Sequence, residues 1–185
     1  MKILLSGFMP FGEYNENPSQ KLVESLCADS DYPFHLDGII LPVTFKGAFP
    51  LLKEKIDQIK PDYVICFGLA ESRHDISLEE IAVNINDARI PDNDGYQPKN
   101  KLIITDGKNE LRSTLPNKEW LRHARKNDYP VSLSQTAGTY VCNNTMYQVI
   151  DIGDRLGFKA GFIHISNELS INKTKSTLLE LLKLL

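Results

Sequence analysis

The chain has 185 residues, of which 42% are hydrophobic and 24% charged, and this predicts a globular protein with one domain, residues 1–185. Its net charge is −3, with both signs interspersed, so no concentrated basic patch indicates nucleic acid as a partner. The longest apolar stretches, such as residues 63–69, are too short to cross a membrane, and we expect no membrane association.

The amino terminus and the cysteines predict a cytoplasmic protein. Met1 and Lys2 lead directly into a strand-length apolar run, with no secretory signal. The three cysteines, Cys27, Cys66 and Cys142, are odd in number and far apart, which makes a poor disulfide framework. We therefore expect reduced thiols in the cytosol.

Short apolar runs rich in β-branched residues alternate with longer amphipathic segments, as in βα units around a parallel sheet. Several runs are almost continuously apolar, which is typical of strands covered on both faces. The pattern predicts an α/β fold with three α/β/α layers around a central, mostly parallel, twisted sheet. In chain order, the predicted strands are residues 3–5, 39–41, 63–67, an extended segment at 81–85, then 131–134 and 161–165.

Four helices are predicted between these strands. Asn17 before Pro18 has the form of an N-cap followed by proline at the first helical position. In chain order, the predicted helices are residues 18–27, 45–60, 140–156 and 174–185. Residues 88–98 are rich in turn formers and lack periodicity, so they predict a long irregular loop, which in a compact domain is usually functional.

Three ionisable side chains follow three of the predicted strands. Glu79 comes after the strand at 63–67, Cys142 after the strand at 131–134, and His164 near the end of the strand at 161–165. Reactive groups collect at the carboxyl ends of parallel strands. We therefore expect the carboxylate, the thiol and the imidazole to meet on one rim of the sheet.

Cys142 falls in the first turn of a predicted helix. Unpaired N–H groups and the helix dipole stabilise a thiolate there, which predicts a lowered thiol pKa, and the same groups suit an oxyanion hole. The alternative is a small buried core residue, which is our interpretation of Cys27 and Cys66.

His164 and Glu79 also have ordinary alternatives. By spacing alone, His164 could be a core histidine that is hydrogen-bonded to the backbone. Glu79 stands beside Glu80, periodicity does not choose between them, and an acid on a surface turn is usually only solvated.

No motif indicates a metal or a cofactor, and we expect neither. The other histidines are isolated, without the spacing of metal ligands. The glycine-bearing segment at 7–12 lacks both the dinucleotide-binding and the phosphate-loop spacing. Phe8, Phe11 and Tyr140 are core aromatics by default, but if they line a concavity they suit a small uncharged ring.

Six stretches of sequence, from the first strand to about residue 165, share their order and spacing with a known family. They are SGFMPFG at 6–12, NPS at 17–19, ISLEEIAVN at 76–84, DARIPDN at 87–93, SQTAGTYVCN at 134–143 and GFIHI at 161–165. Together they resemble the pyroglutamyl peptidase I family of cysteine peptidases (pyrrolidone-carboxylate peptidases, family C15).

The resemblance implies a catalytic triad of Glu79, Cys142 and His164, and it selects Glu79 over Glu80. It implies peptides with amino-terminal pyroglutamate as substrates and a homotetramer as the assembly, with which a leucine-rich last helix is compatible. It also implies further residues around the substrate. These are Phe8, Phe11 and Tyr140 as walls of the ring pocket, Asn17 and the backbone near Leu69 as holders of the lactam, and Arg89 close to the catalytic centre.

Three features depart from the family pattern. Leu69 stands where glutamine is common, and Tyr140 stands where phenylalanine is usual. Residues 166–168 replace a segment that normally contains proline. These changes bear on the substrate rim and on subunit packing.

We predict a cysteine peptidase that removes an amino-terminal pyroglutamyl residue, with Cys142 as nucleophile, His164 as general base and Glu79 orienting the imidazole. One alternative is a related thiol hydrolase that acts on another small blocked acyl group. Another is a small-molecule binding module without catalysis on the same fold, against which the intact trio argues.

Overall fold

The computed structural model describes residues 1–12, 14–29 and 32–185, and within these ranges it contains eight strands and five helices. Each predicted helix and strand has a counterpart, with the same bounds for the strand at 131–134 and shifted bounds for the others. In chain order the elements are β1 (Lys2–Phe8), α1 (Pro18–Ala28), β2 (His35–Leu41), α2 (Ala48–Ile59), β3 (Tyr63–Leu69), β4 (Ile76–Glu79), β5 (Ile81–Val83), β6 (Glu110–Arg112), α3 (Asn117–Lys126), β7 (Val131–Ser134), α4 (Val141–Leu156), β8 (Lys159–Ile165) and α5 (Ile171–Leu182).

Six strands form one sheet in the order β2-β1-β3-β8-β4-β7. Every neighbouring pair is parallel except β8 and β4, which are antiparallel, so β4 and β7 together run against the other four strands. Strands β5 and β6 form a separate antiparallel pair. The prediction of a central, mostly parallel sheet is confirmed.

Helices cover both faces of the sheet because successive strand residues point to opposite sides. On one face, Leu4, Val64 and Phe162 pack with buried residues of α2 and α4. On the other face, Ile3 and Ile65 pack with buried residues of α1, α3 and α5. Each of these fully buried side chains stabilises the fold by about 1.5–3 kcal/mol. This arrangement gives the three α/β/α layers that the sequence predicted.

Local signals set the helix ends that matter for the site. The Asn17 side chain accepts a hydrogen bond from the Ser19 N–H at 3.0 Å, so the predicted N-cap of α1 is present, with Pro18 at the first helical position. Helix α4 ends at Gly157, which adopts φ 84° in the left-handed C-cap conformation. The leucine-rich face of α5 is buried against the face of the sheet that carries Ile3 and Ile65.

Two elements near the site were absent from the sequence prediction. Strand β4 is only four residues long, and α3 buries just Asn117, Trp120 and Ala124, so neither gave a clear periodic signal. The irregular loop at 88–98 is confirmed, without helix or strand. None of the helices in the described ranges combines the length and the apolar character that crossing a membrane requires.

Candidate active site

The directions of the strands correct the predicted route by which the three reactive side chains meet. Strands β3 and β8 run in one direction, whereas β4 and β7 run in the other, and Glu79 at the end of β4 lies level with the middle of β8. The expectation that three strand ends share one rim is therefore wrong. Ser77 of β4 pairs with His164 of β8, and Glu79, two residues further along, points to the same face as Ser77. Cross-strand pairing brings the acid and the histidine together.

Glu79 and His164 form a direct, buried contact. Glu79 is the last residue of β4, and its Oε1 lies 2.6 Å from Nδ1 of His164. Glu79 is fully buried and His164 is 5% exposed. A carboxylate on Nδ1 fixes the orientation of the ring and leaves Nε2 as the nitrogen for proton transfer.

The structure separates Glu79 from Glu80, which periodicity could not do. The side chain of Glu80 accepts a hydrogen bond from Gln135 and lines a different, open cleft of about 560 Å³ beside α3. This larger cleft includes none of the three reactive residues. Only Glu79 therefore lies with His164.

Arg73, which the sequence analysis missed, also contacts the carboxylate. Its Nη1 lies 2.5 Å from Oε1 of Glu79, and its Nη2 donates to the carbonyl of Thr136 at 3.1 Å. Arg73 lies in the short segment between β3 and β4, which has no periodicity to mark it. The requirement that a buried carboxylate have a charged partner is the one signal that could have pointed to an arginine.

Cys142 lies in the first turn of α4, as predicted. The N-cap, Tyr140, makes no side-chain capping bond, so the start of the helix presents backbone N–H groups to the neighbouring space. A methyl group built on Gly68 would lie 3.0 Å from the Sγ of Cys142. Gly68 is the register partner of His164, so the sulfur lies over the strand pair that holds the histidine.

Burial raises the pKa of Cys142 to about 12, and the negative charge of Glu79 and the nearby Cys66 contribute in the same direction. The backbone N–H of Cys142 itself and the charge of Arg73 oppose this rise. This direction is opposite to the predicted lowering of the thiol pKa, because desolvation of the buried sulfur is the largest cause of the shift. A thiol whose pKa is raised needs a neighbouring base before it can act as a nucleophile.

A cavity of about 160 Å³ opens beside the sulfur. At about 30 Å³ per water molecule this is room for roughly five waters, which suits a small ring better than a peptide side chain with its backbone. Its lining is mostly aromatic and aliphatic. It includes Cys142, His164 and five of the predicted substrate-binding residues, namely Phe8, Phe11, Asn17, Leu69 and Tyr140.

The polar groups of the lining are already partly engaged. The Asn17 oxygen accepts from the N–H and the hydroxyl of Ser19, at 3.0 and 2.8 Å, and its Nδ2 donates to the Met9 carbonyl at 3.0 Å. The second N–H of the Asn17 amide has no hydrogen-bond partner among the residues that the structure describes. The Tyr140 hydroxyl donates to the carbonyl of Pro91 at 2.9 Å, so it links the cavity wall to the irregular loop. Burial raises the pKa of Tyr140, which keeps this hydroxyl protonated.

Among the predicted substrate-binding residues, Arg89 alone is absent from the lining of this cavity. It is exposed on the irregular loop, and it is not among the residues that line the cavity beside Cys142. Its predicted closeness to the catalytic centre stays a prediction. Across residues 1–12, 14–29 and 32–185, no group of three His, Cys, Asp or Glu side chains is arranged to hold a metal ion.

Comparison with known proteins gives the family. The family model described as pyroglutamyl peptidase matches residues 1–178. The pyrrolidone-carboxylate peptidase of Brachyspira hyodysenteriae is 42% identical over 167 residues, which cover 89% of this chain and 83% of that protein. The pyrrolidone-carboxylate peptidase of Thermococcus litoralis is 40% identical over 166 residues, covering 89% and 76%.

Solved structures have the same fold. Pyroglutamyl peptidase I of Bacillus amyloliquefaciens superimposes with a TM-score of 0.92 at 34% identity, over 97% of this chain and 94% of that one. Pyrrolidone carboxyl peptidase from Thermococcus litoralis gives a TM-score of 0.93 at 34% identity, over 98% and 91%. The chain therefore belongs to the pyroglutamyl peptidase family, which confirms the family and the enzyme class, a cysteine-type peptidase, that the sequence predicted.

Proposed function

We propose that this protein hydrolyses the amide bond after an amino-terminal pyroglutamyl residue, with Cys142 as nucleophile, His164 as general base and Glu79 as the carboxylate that orients the imidazole. The observation that supports it most directly is the buried 2.6 Å contact between Glu79 and His164, beside the ring-sized cavity that both His164 and Cys142 line. Peptides with an amino-terminal pyroglutamate are the substrates that the family indicates.

The chemistry follows from a neutral thiol at rest. His164 Nε2 takes the proton of Cys142 as the sulfur attacks the pyroglutamyl carbonyl carbon, and backbone N–H groups of the first turn of α4 stabilise the oxyanion. Collapse of the tetrahedral intermediate breaks the C–N bond, and the imidazolium gives its proton to the departing amine. The imidazole then takes a proton from water, which attacks the thioester and releases pyroglutamate and the Cys142 thiol.

The cavity explains the preference for a lactam over a free amino terminus. A pyroglutamyl ring carries no ammonium group, so a small apolar slot with a few hydrogen-bonding groups suits it. Phe8, Phe11 and Tyr140 supply aromatic walls, and the free N–H of Asn17 supplies a donor for the ring carbonyl. Analogues that lack the ring amide would leave such polar groups unpaired and would be rejected.

Hydrolysis of a chromogenic pyroglutamyl amide tests the proposal. We expect turnover by the wild type and none by Cys142→Ala, whereas Cys66→Ser keeps its turnover because Cys66 lies within the core. Retained turnover in Cys142→Ala would refute the mechanism. Faster hydrolysis of a prolyl or an acetyl amide than of the pyroglutamyl amide would favour the other thiol hydrolase, and binding of pyroglutamate without hydrolysis would favour the binding module.

We further propose that residues 1–185 act as one catalytic domain in the cytoplasm. The reactive sulfur must stay unoxidised, and the cytosol keeps thiols reduced. The homotetramer implied by the family resemblance also stays a proposal. Size-exclusion chromatography with light scattering tests it, and a monomer at micromolar concentration would exclude it.

A further inference from the structure

Arg73 contacts two separate parts of the candidate active site. Its guanidinium contacts the carboxylate of Glu79 through Nη1 and the carbonyl of Thr136 through Nη2. Thr136 lies in the loop between β7 and α4, six residues before Cys142. We propose that Arg73 is a positioning residue, which fixes the acid and the loop that leads to the nucleophile relative to one another. The inference rests on the proposed function.

The contact with Glu79 matters because that side chain has few partners. Its Oε1 receives both Arg73 and His164, at 2.5 and 2.6 Å, while its buried Oε2 makes no hydrogen bond with any residue that the structure describes. A fully buried carboxylate is costly unless it is paired. Loss of Arg73 leaves His164 to hold the carboxylate by one contact, so the acid gains freedom to rotate and the imidazole loses its fixed orientation.

The shape of the guanidinium explains why the residue is an arginine. Its nitrogen atoms lie in one rigid plane, so the two contacts fix the distance between Oε1 of Glu79 and the Thr136 carbonyl. The hydroxyl of Ser134 donates to that same carbonyl at 3.1 Å, which further restrains the loop. A lysine brings the same charge but a single nitrogen, so it cannot reproduce both contacts.

Arg73 also acts on the nucleophile through charge. It lowers the pKa of Cys142, against the burial and the Glu79 charge that raise it. The other titratable groups near the sulfur are His164 on β8, Tyr140 at the start of α4 and, in the core beneath, Cys66 on β3. A neutral side chain at position 73 would leave the Glu79 charge without its counter-charge and would make the thiol harder to ionise.

The chain offers a matched control for the ion pair. Arg155 of α4 lies 2.6 Å from Asp151, at nearly the same distance as the Arg73 pair. The side chain of Arg155 is 67% exposed, however, whereas that of Arg73 is 24% exposed and its carboxylate partner is buried. Exposed ion pairs contribute little to stability, so Arg155→Met removes a contact of the same kind without affecting the site.

The experiment compares Arg73→Met, Arg73→Lys and Arg155→Met on a chromogenic pyroglutamyl amide. We expect Arg73→Met to lower kcat by about 10- to 100-fold with a small change in KM, because a misplacement of about 1 Å costs on the order of 100-fold. Arg73→Lys should recover part of this loss, and Arg155→Met should stay within about twofold of wild type. Alkylation of Cys142 by iodoacetamide at pH 8 should also slow in Arg73→Met, about tenfold for each unit of rise in the thiol pKa.

Arg73→Met in a Glu79→Gln background separates positioning from general destabilisation. Because Arg73 acts in part through Glu79, its loss there should lower kcat by a smaller factor than in the wild-type background. A folded Arg73→Met with wild-type kcat and alkylation rate would overturn the inference. If Arg73→Met does not fold, an equal loss from Arg73→Lys with and without Glu79→Gln would overturn it instead. Failure of the proposed function is distinct, because it shows as an inactive wild type or an active Cys142→Ala.

Discussion

Because Gly68 has no side chain, it leaves room for the sulfur of Cys142, the proposed nucleophile, so Gly68→Ala perturbs the site directly. A Cβ at this position would lie 2.8 Å from Cζ of Phe162 and 3.0 Å from Sγ of Cys142. Non-bonded carbon atoms prefer about 3.5–4.0 Å, so the neighbours would have to move by roughly 0.5–1 Å. Phe162 is fully buried and cannot move far, and the sulfur, which faces the cavity, is the atom with room to yield.

Gly68→Ala should affect both the stability of the fold and the rate of catalysis. Overpacking by one methyl group in a well-packed core costs about 1–3 kcal/mol, which lowers the free energy of unfolding. Displacement of the sulfur by up to 1 Å from its attack position costs up to about 100-fold in rate. We therefore expect Gly68→Ala to fold with a lower Tm and to show a kcat about 10- to 100-fold below wild type.

Gly38→Ala is the matched control, assayed by thermal unfolding and by turnover of a pyroglutamyl amide. Gly38 lies on β2, and its Cβ would meet the Sγ of Cys27 and Cγ1 of Val23, both at 2.9 Å, away from the cavity. It introduces a similar clash against a sulfur, so it should lower Tm while leaving kcat near wild type. A Gly68→Ala variant with wild-type kcat, or an equal loss of kcat in Gly38→Ala, would refute the steric reasoning.

Three further predictions concern the acid, the loop and the core thiol. Glu79→Gln should lower kcat at least tenfold while Glu80→Gln changes it less than about threefold, since only Glu79 contacts the histidine; a larger loss at Glu80 would contradict the assignment. Tyr140→Phe removes the hydrogen bond from the hydroxyl to the Pro91 carbonyl, which is worth about 0.5–1.5 kcal/mol. Because this bond holds the cavity wall against the loop, its loss should raise KM about two- to tenfold in steady-state kinetics. An unchanged KM would show that the bond does not shape the cavity. Burial raises the pKa of Cys66 from 9.0 to about 12, so above pH 9 the thiol loses its proton in the unfolded chain but keeps it in the folded one. The free energy of unfolding then falls by about 1.4 kcal/mol per pH unit through this group. Denaturant titrations between pH 8 and 10.5 should show a shallower fall for Cys66→Ala, and an equal slope would refute the role of the Cys66 thiol.

Much of the fold could be predicted because its signals are local. The N-cap at Asn17 and the apolar residues at helical spacing in α2 each indicate a helix from a short stretch of sequence. Strand β4 and helix α3 escaped prediction because their positions depend on long-range packing. Four residues are too few to establish a period, and Trp120 and Ala124 are the only apolar residues of α3 that are buried.

The direction of β4 could not be predicted from its residues either. A buried strand has the same apolar pattern whether it pairs in parallel or antiparallel, so the sequence does not tell on which edge Glu79 lies. The residues of the site were still found, because the family resemblance fixes positions without knowledge of the strand order. The family resemblance did not identify Arg73, because its contact with Glu79 becomes apparent only when the carboxylate is seen to be buried and to need a counter-charge.

The raised pKa of Cys142 implies that its thiol is not reactive by itself and depends on a neighbouring base. Thiolates, rather than thiols, are alkylated and oxidised, so a sulfur whose pKa burial raises to about 12 reacts slowly with both kinds of reagent. In the mechanism proposed above, the Glu79–His164 pair supplies the base. Proton transfer then becomes favourable only when a carbonyl carbon lies next to the sulfur, because the carbonyl oxygen takes up the developing negative charge. Selectivity and activation then depend on the same event, because the ring that fills the cavity is also what places that carbonyl beside Cys142.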